Sequence, residues 1–505
     1  MILFLLLLFL LLLPLYARKK SNLPPGPRGL PLIGNLHQIP AKQPWRRFRA
    51  WHKRYGPLVS IRFGQRQMII LGNYRIAQAF LDRRSKTYSS RPELFSQLGG
   101  GTPHTLFLPT GPRWRAHRRI HASFLASRQT TRYRPLQDVE SRQVLAELLT
   151  SNDFAARFHR YSASLAFSLA YGRRIARGDE PEVQAIERIV RELFQAVNPV
   201  LAAFPLLSAL PAWLAPWRRA AARLHDAQQQ LFLALGATAM ETPSWNWTLA
   251  ASRTREAQAM SAAERAWVTG ITFEAASDTT TLSLEFVIRA CVLYPEAVRQ
   301  VQEEISSILR GDDLPGWEDL DRLPRLDAFL LEVYRMFPTS PAFGAFHAAQ
   351  EDDVYEGYSI PRGTAVVTNN HSLGFDEETF GDPWSFRPDR WLQDPTLPMS
   401  NFGYGRRICP GQHLAHSSIR LITARLLWGF DISGVPGQST DPHDITDGLL
   451  ARPTPFEARF SPRSPQHKTR IEMAWQEAEK DVDVILRQIG SSQPDGILGV
   501  RSVTE

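Results

Sequence analysis

Residues Phe402-Gly403-Tyr404-Gly405-Arg406-Arg407-Ile408-Cys409-Pro410-Gly411 place a thiol in a glycine-punctuated loop just ahead of an apolar run of helical character. A cysteine thiolate is a soft, electron-rich metal ligand. Glycines on both sides let the backbone approach a flat cofactor that side chains would hold away. These are the needs of a haem iron held through sulfur. Arg407, two residues before the thiol, adds a fixed positive charge suited to a carboxylate of the same cofactor. Taken alone, a cysteine is more often a small buried hydrophobe than a ligand. The other cysteine, Cys291, sits in Arg289-Ala290-Cys291-Val292-Leu293 without such company and is expected in the core.

The decapeptide fits Phe-x-x-Gly-x-Arg-x-Cys-x-Gly at each fixed position, through Phe402, Gly405, Arg407, Cys409 and Gly411. In this the chain resembles the cytochrome P-450 monooxygenases of microsomal type. The likeness extends to about residue 462 and is most evident with fungal secondary-metabolite hydroxylases over 204–217 and 274–281. It implies a mainly α fold with small β-sheets, built as a single large haem domain. It also implies haem b with Cys409 as the axial thiolate, and Phe402, Arg407 and Gly411 in the cofactor loop.

No Gly/Ser linker, repeat or low-complexity block divides the interior of the 505 residues, so one large domain is favoured. A hydrophobic content of 43% supplies a sizeable core. Two cysteines exclude a disulfide scaffold and fit a reducing compartment. The net charge of +9 is spread among acids along the chain and forms no basic stripe, which argues against a nucleic-acid partner.

The first 16 residues are almost unbroken Leu, Ile and Phe, followed by Arg18-Lys19-Lys20. The run is shorter than the ~20 residues that usually span a bilayer, so it needs flanking residues or a thinned membrane. A cleaved signal peptide carries its positive charge before the apolar run; here the charge follows, which retains the basic cluster in the cytosol. The expectation is an uncleaved single-pass anchor over 1–17 in the endoplasmic reticulum membrane, with the catalytic domain cytosolic. Residues 18–36, rich in basic residues and proline, read as an extended hinge. The haem domain is expected over 37–462. A charged tail over 463–505 has no assigned role. The sequon Asn246-Trp247-Thr248 would face the cytosol and stay unglycosylated.

Strand composition over 58–63 and 68–71 predicts a hairpin. Helical periodicity is read over 138–150, 181–200, 217–239, 262–293, 296–309 and 326–336, and short strands over 355–367.

Within the long helix lies Ala275-Ala276-Ser277-Asp278-Thr279-Thr280. A polar cluster in an apolar helix is costly unless its groups bond one another or serve a site; a solvated kink is the alternative. Ala275 lies one turn before Thr279 on the same face and leaves room beside the hydroxyl. Asp278 and Thr279 suit a proton relay for dioxygen activation. Ala276 stands where the family usually has glycine, which bears on the width of the oxygen groove.

Glu332 and Arg335 are three apart and share a helix face. By resemblance, Arg390 completes their network, a structural platform beneath the haem loop. Trp114 and Arg118 also share a face, and both can reach a haem propionate; a basic solvated helix is the alternative. Arg115 and Arg119 form a second stripe, assigned to docking an acidic electron donor. The resemblance places His347 at a propionate. It also nominates substrate walls in 97–108, 199–214, Phe273, 340–343 and Leu449-Leu450, whose composition predicts an apolar small molecule.

The implied activity is oxygen insertion into that substrate with electrons from NADPH, which binds a partner NADPH-cytochrome reductase and not this chain. A cytochrome b-type protein is a further candidate donor. A haem-thiolate isomerase or peroxygenase needs no reductase and can dispense with the Asp278–Thr279 relay. A haem-binding sensor or carrier needs no oxygen groove. Reductase-dependent turnover separates the three.

Overall fold

A computed structural model describes residues 22–92, 103–196, 203–204, 207, 210–309, 313–342 and 344–492. The anchor expected over 1–17 lies outside them. Among the described residues no helix is long and apolar enough to cross a membrane.

Among the described residues the architecture is mainly helical with three small sheets. Helix α1 (Pro44–Tyr55) precedes the hairpin of β1 (Leu58–Phe63) and β2 (Arg66–Leu71). Then come α2 (Pro112–Leu125), α3 (Arg134–Leu148), α4 (Phe154–Tyr171), α5 (Pro181–Ala196), α6 (Pro216–Glu241), α7 (Trp247–Ser252), α8 (Ala262–Leu293), α9 (Pro295–Ile308) and α10 (Pro324–Met336). The strands β3 (His347–Ala348), β4 (Asp353–Tyr355), β5 (Tyr358–Ile360) and β6 (Ala365–Thr368) follow. Helix α11 (Gln412–Gly429), strands β7 (Phe430–Gly434) and β8 (Ala458–Pro462), and helices α12 (Pro465–Glu477) and α13 (Val482–Ser491) come last among the described residues. The larger sheet has the order β1-β2-β6-β3, with β2 and β6 parallel; β4–β5 and β7–β8 are antiparallel pairs.

Helix α8 is the spine. The Ser261 side chain caps its N-terminus by accepting from the Glu264 N–H at 3.1 Å, and Pro295 follows its end at Tyr294. Gly270 lets α6 come close, because a Cβ there would sit 2.3 Å from the Phe232 ring. Helix α4 packs along α8 and was not visible as a periodic pattern. From Arg160 to Tyr171 every residue of α4 is buried, so no polar face alternates with an apolar one. Its Ala and Ser side chains allow close helix approach, and Arg160 is held by Glu140 at 2.5 Å.

The proline-rich stretch lies against the sheet region: the Ser60 N–H donates to Pro25 O at 2.9 Å, and Asn22 bonds the β4–β5 turn at Gly357. Helices α12 and α13 bury Ile471, Ile485, Leu486 and Ile489 in the main core, and Ala474 is buried as well. Cys291 is also in that core, its thiol pushed up by burial. Asn246 is fully buried as the cap of α7, its amide nitrogen donating to Ala239 O and Ser244 O, so the sequon is closed to modification by the fold itself.

Candidate haem-thiolate site

Cys409 sits two residues before Gly411, the N-cap of α11. The Cys409 N–H donates to Phe402 O at 2.8 Å and closes the loop on itself. Gly405 adopts φ +51°, and a Cβ there would lie 2.1 Å from Leu81 O, so this position requires glycine. Burial pushes the Cys409 thiol up, while the Gly411 N–H and the charge of Arg118 pull it down. A helix N-terminus and a nearby cation are the features that favour thiolate over thiol.

Helix α2 and the thiol loop meet directly. The Arg407 guanidinium stacks 4.2 Å from the Trp114 ring centroid, and Arg118 Nη2 donates to Ile408 O at 3.0 Å. The hydrogen bonds of Arg407 go to carbonyls of Ser89, Leu108 and Thr105, at 2.7, 2.7 and 3.4 Å. His347 Nδ1 lies 2.8 Å from Tyr88 O. Arg91, which the sequence reading did not single out, bonds the carbonyls of Leu106, Ala345 and Phe346.

This is a knot of positive charge. Burial, then repulsion from Arg91 and Arg118, lowers Arg407 to about 8. Burial lowers Arg91 to about 9. His347 is driven to about 3 by burial and by the neighbouring Arg91 and Arg407. Among the described residues no carboxylate pairs with Arg91, Arg118 or Arg407. Desolvated cations without counter-charge are costly, and the two propionates of a haem b would supply that counter-charge. The donor set therefore fits that group, with a sulfur ligand beside a dianion-binding cluster.

On α8, Ala275 is exposed and Thr279 half-buried, with Thr279 Oγ1 donating to Ala275 O at 2.8 Å. The helix continues regularly through Ala276. Asp278 turns to another partner: Arg452 Nη2 lies 3.2 Å from its Oδ1. Thr339 and Ser340 bond Ala451 and Leu449, so two expected wall segments come together. Phe273 does not join them; it is fully buried against the rings of Phe167 and Tyr171. His104, Glu274 and Gln228 form a buried cluster that the sequence did not reveal, with His104 Nε2 3.6 Å and Gln228 Nε2 3.1 Å from the Glu274 carboxylate.

Glu332, Arg335 and Arg390 are brought together and buried. Arg335 spans both Glu332 oxygens at 2.8 Å, Arg390 Nε is 3.2 Å away, and the Trp391 indole and Arg387 N–H also donate to Glu332. The remaining guanidinium donors bond carbonyls between Gly374 and Ser385. Of the expected donor-docking stripe, Arg115 is exposed and Arg119 is paired with Glu256 at 3.1 Å.

The sequence profile described as Cytochrome P450 matches residues 24–460. The chain is 40% identical over 486 residues to the cytochrome P450 monooxygenase aneD of Aspergillus aculeatus, covering 94% of each chain. It is 42% identical over 486 residues to the cytochrome P450 monooxygenase FrzL of a Cladobotryum species, again covering 94% of each. In fold it is similar to a zebrafish cytochrome P450 solved with abiraterone, with TM-score 0.68 and 24% identity over 83% of this chain and 100% of that one. A profile match across most of the length, together with relatives aligned nearly end to end, shows that the chain belongs to the cytochrome P450 family of monooxygenases.

Proposed function

We propose that the chain is a membrane-anchored haem-thiolate monooxygenase that inserts one oxygen atom into an apolar small molecule, an intermediate of fungal secondary metabolism. The observation that carries this reading is the Cys409 thiol just ahead of α11, near Arg91, Arg118 and Arg407, which pair with no carboxylate among the described residues. Haem b, when bound, supplies the redox chemistry of dioxygen activation.

The chain's own residues do the rest. Cys409 gives the anionic sulfur donor; Arg118, Arg407 and His347, with Trp114 stacked beneath Arg407, orient the cofactor carboxylates; Phe402 and Gly411 shape the loop around the sulfur. Asp278 carries protons inward from the Arg452 side of α8, and Thr279, one helical position on, presents a hydroxyl beside the open face at Ala275. Glu332, Arg335 and Arg390 hold the segment 374–390 rigid beneath the loop.

Electrons come from NADPH through a partner reductase. The apolar run over 1–17 supplies the anchor, placing the protein on the endoplasmic reticulum. Exposed Leu30, Leu32 and Ile33, together with Trp213 at 74% exposure and Leu214, support contact with the bilayer surface. The hairpin tip bonds both regions, Gly34 pairing with Phe63 and the Gln65 N–H donating to Ala203 O.

The test is incubation of the protein, reductase and NADPH under labelled dioxygen with the metabolite that accumulates when the gene is deleted. One labelled oxygen atom per product molecule, dependent on reductase, is expected. Product formation without reductase would overturn the reading.

A further inference from the structure

Arg452 lies two residues beyond the expected wall pair Leu449-Leu450, in a stretch 448–451 that is tied to Thr339 and Ser340. From there its guanidinium reaches α8, with Nη2 3.2 Å from Asp278 Oδ1 and Nη1 3.9 Å from Glu285 Oε1. The two carboxylates are seven residues, or two turns, apart on one face. Arg452 is 44% exposed and the Asp278 side chain 25%, whereas that of Glu285 is 8%. One cation at the surface thus faces a partly exposed acid and a buried one.

Building on the monooxygenase reading, we propose that Arg452 is a latch shared between Asp278 and Glu285, and that Glu285 is a positioning residue that draws the guanidinium off Asp278 and frees that carboxyl for proton delivery. An acid locked to a guanidinium is a poor proton donor, because the ion pair favours its charged form. Glu285 changes charge where this matters: burial pushes its carboxyl up to about 7, against the pull of Arg452 and with a further push from Asp278. While protonated, Glu285 makes no claim on the cation, and Arg452 stays on Asp278. Once its proton leaves to solvent at the Arg452 side, the buried carboxylate competes for the guanidinium. Asp278 then loses its cation and gains a like-charged neighbour. Released from the ion pair, the Asp278 side chain is free to turn and exchange a proton with water and with the site.

The next cation along α8 takes no part: Arg289 Nη2 donates to Asp441 O at 3.0 Å, faces the carboxylates of Asp441 and Asp444, and stacks over Phe456. Because Arg452 belongs to the wall loop, a substrate that shifts 448–451 moves the latch with it.

The experiment uses the haem-loaded full-length protein at rest. Infrared difference spectra taken across neutral pH should show a protonated-carboxyl stretch that titrates in the wild type and is missing in Glu285→Gln. In Arg452→Gln its midpoint should rise by about one pH unit, the loss of one close opposite charge. A second readout is hydrogen peroxide released per NADPH consumed, with reductase and no added substrate. In the wild type this ratio should fall as pH rises through neutrality, and Glu285→Gln should lose that dependence. No titrating carboxyl in the wild type, a midpoint unmoved in Arg452→Gln, or identical peroxide profiles for wild type and Glu285→Gln would each overturn the latch. A protein that makes no oxygenated product would sink the monooxygenase reading instead, and the infrared titration would still decide the latch.

Discussion

The guanidinium of Arg407 sits over the indole of Trp114, 4.2 Å from the ring centroid, so two motifs nearly three hundred residues apart in the chain form one surface beside Cys409. With Arg91 and Arg118 close by, this surface holds more positive charge than the described residues can neutralise. Arg407→Ala should remove one charge-assisted contact to a carboxylate, a loss on the order of 1.5 to 3 kcal/mol, or about tenfold or more in haem affinity. Titration of apoprotein with haemin measures it; unchanged affinity would mean that the cluster does not hold the cofactor.

Glu332 is fully buried and satisfies Arg335, Arg390, Trp391 and the Arg387 backbone together. Glu332→Ala leaves two buried guanidiniums without their carboxylate, which should cost roughly 3 to 5 kcal/mol. The expected outcome is a lower Tm and little haem-loaded protein. Wild-type stability in this variant would show that the carbonyls of 374–385 satisfy both arginines unaided.

Asp278→Asn keeps size and polarity but cannot carry a proton. Haem loading and the first reduction should survive, while product formation falls by roughly 10²-fold or more and peroxide release rises. NADPH consumption, product and peroxide measured in one assay decide it. An unchanged product rate would leave Asp278 as no more than the partner of Arg452.

Burial pushes the imidazole of His121, against Val268 O, down to about 4, and that of His371 down to about 3. Both are neutral when folded, whereas the unfolded chain protonates them near the ordinary value of about 6.5. Stability is therefore complete above about pH 6.5 and falls as pH drops below it, by roughly 1.4 kcal/mol per pH unit for each group until its folded pKa is reached. Calorimetric Tm across this window should decline on the acid side, and His121→Gln should flatten the slope. A Tm indifferent to pH would contradict the burial of these rings.

Helices with a one-sided apolar stripe, such as α5 and α9, were legible in the sequence. The spine 262–293 is read at its true ends because Ser261 and Pro295 punctuate it, and the hairpin 58–71 is read from its branched residues. Helix α4 was not, because burial on every side leaves no contrast between faces. At the site, Cys409 and Arg407 stand in one contiguous motif. Arg452 lies 174 positions from Asp278, and Arg91 more than two hundred and fifty from the Ala345 and Phe346 carbonyls it bonds, so no local spacing betrays either. Phe273 is the reverse case: the family resemblance nominated it as a cavity wall, but its side chain lies about 200° around the helix from that of Ala275, two residues on. Phe273 points at α4, while Ala275 is exposed and Thr279 half-buried.

The most direct measurement is the carbon monoxide difference spectrum of the reduced, haem-loaded protein, recorded for wild type and Cys409→Ser. Anionic sulfur donation from Cys409 predicts a strongly red-shifted Soret band in the wild type that disappears when a hydroxyl replaces the thiol. The same red-shifted band in Cys409→Ser, or a wild type that lacks it, would contradict haem-thiolate ligation at this residue.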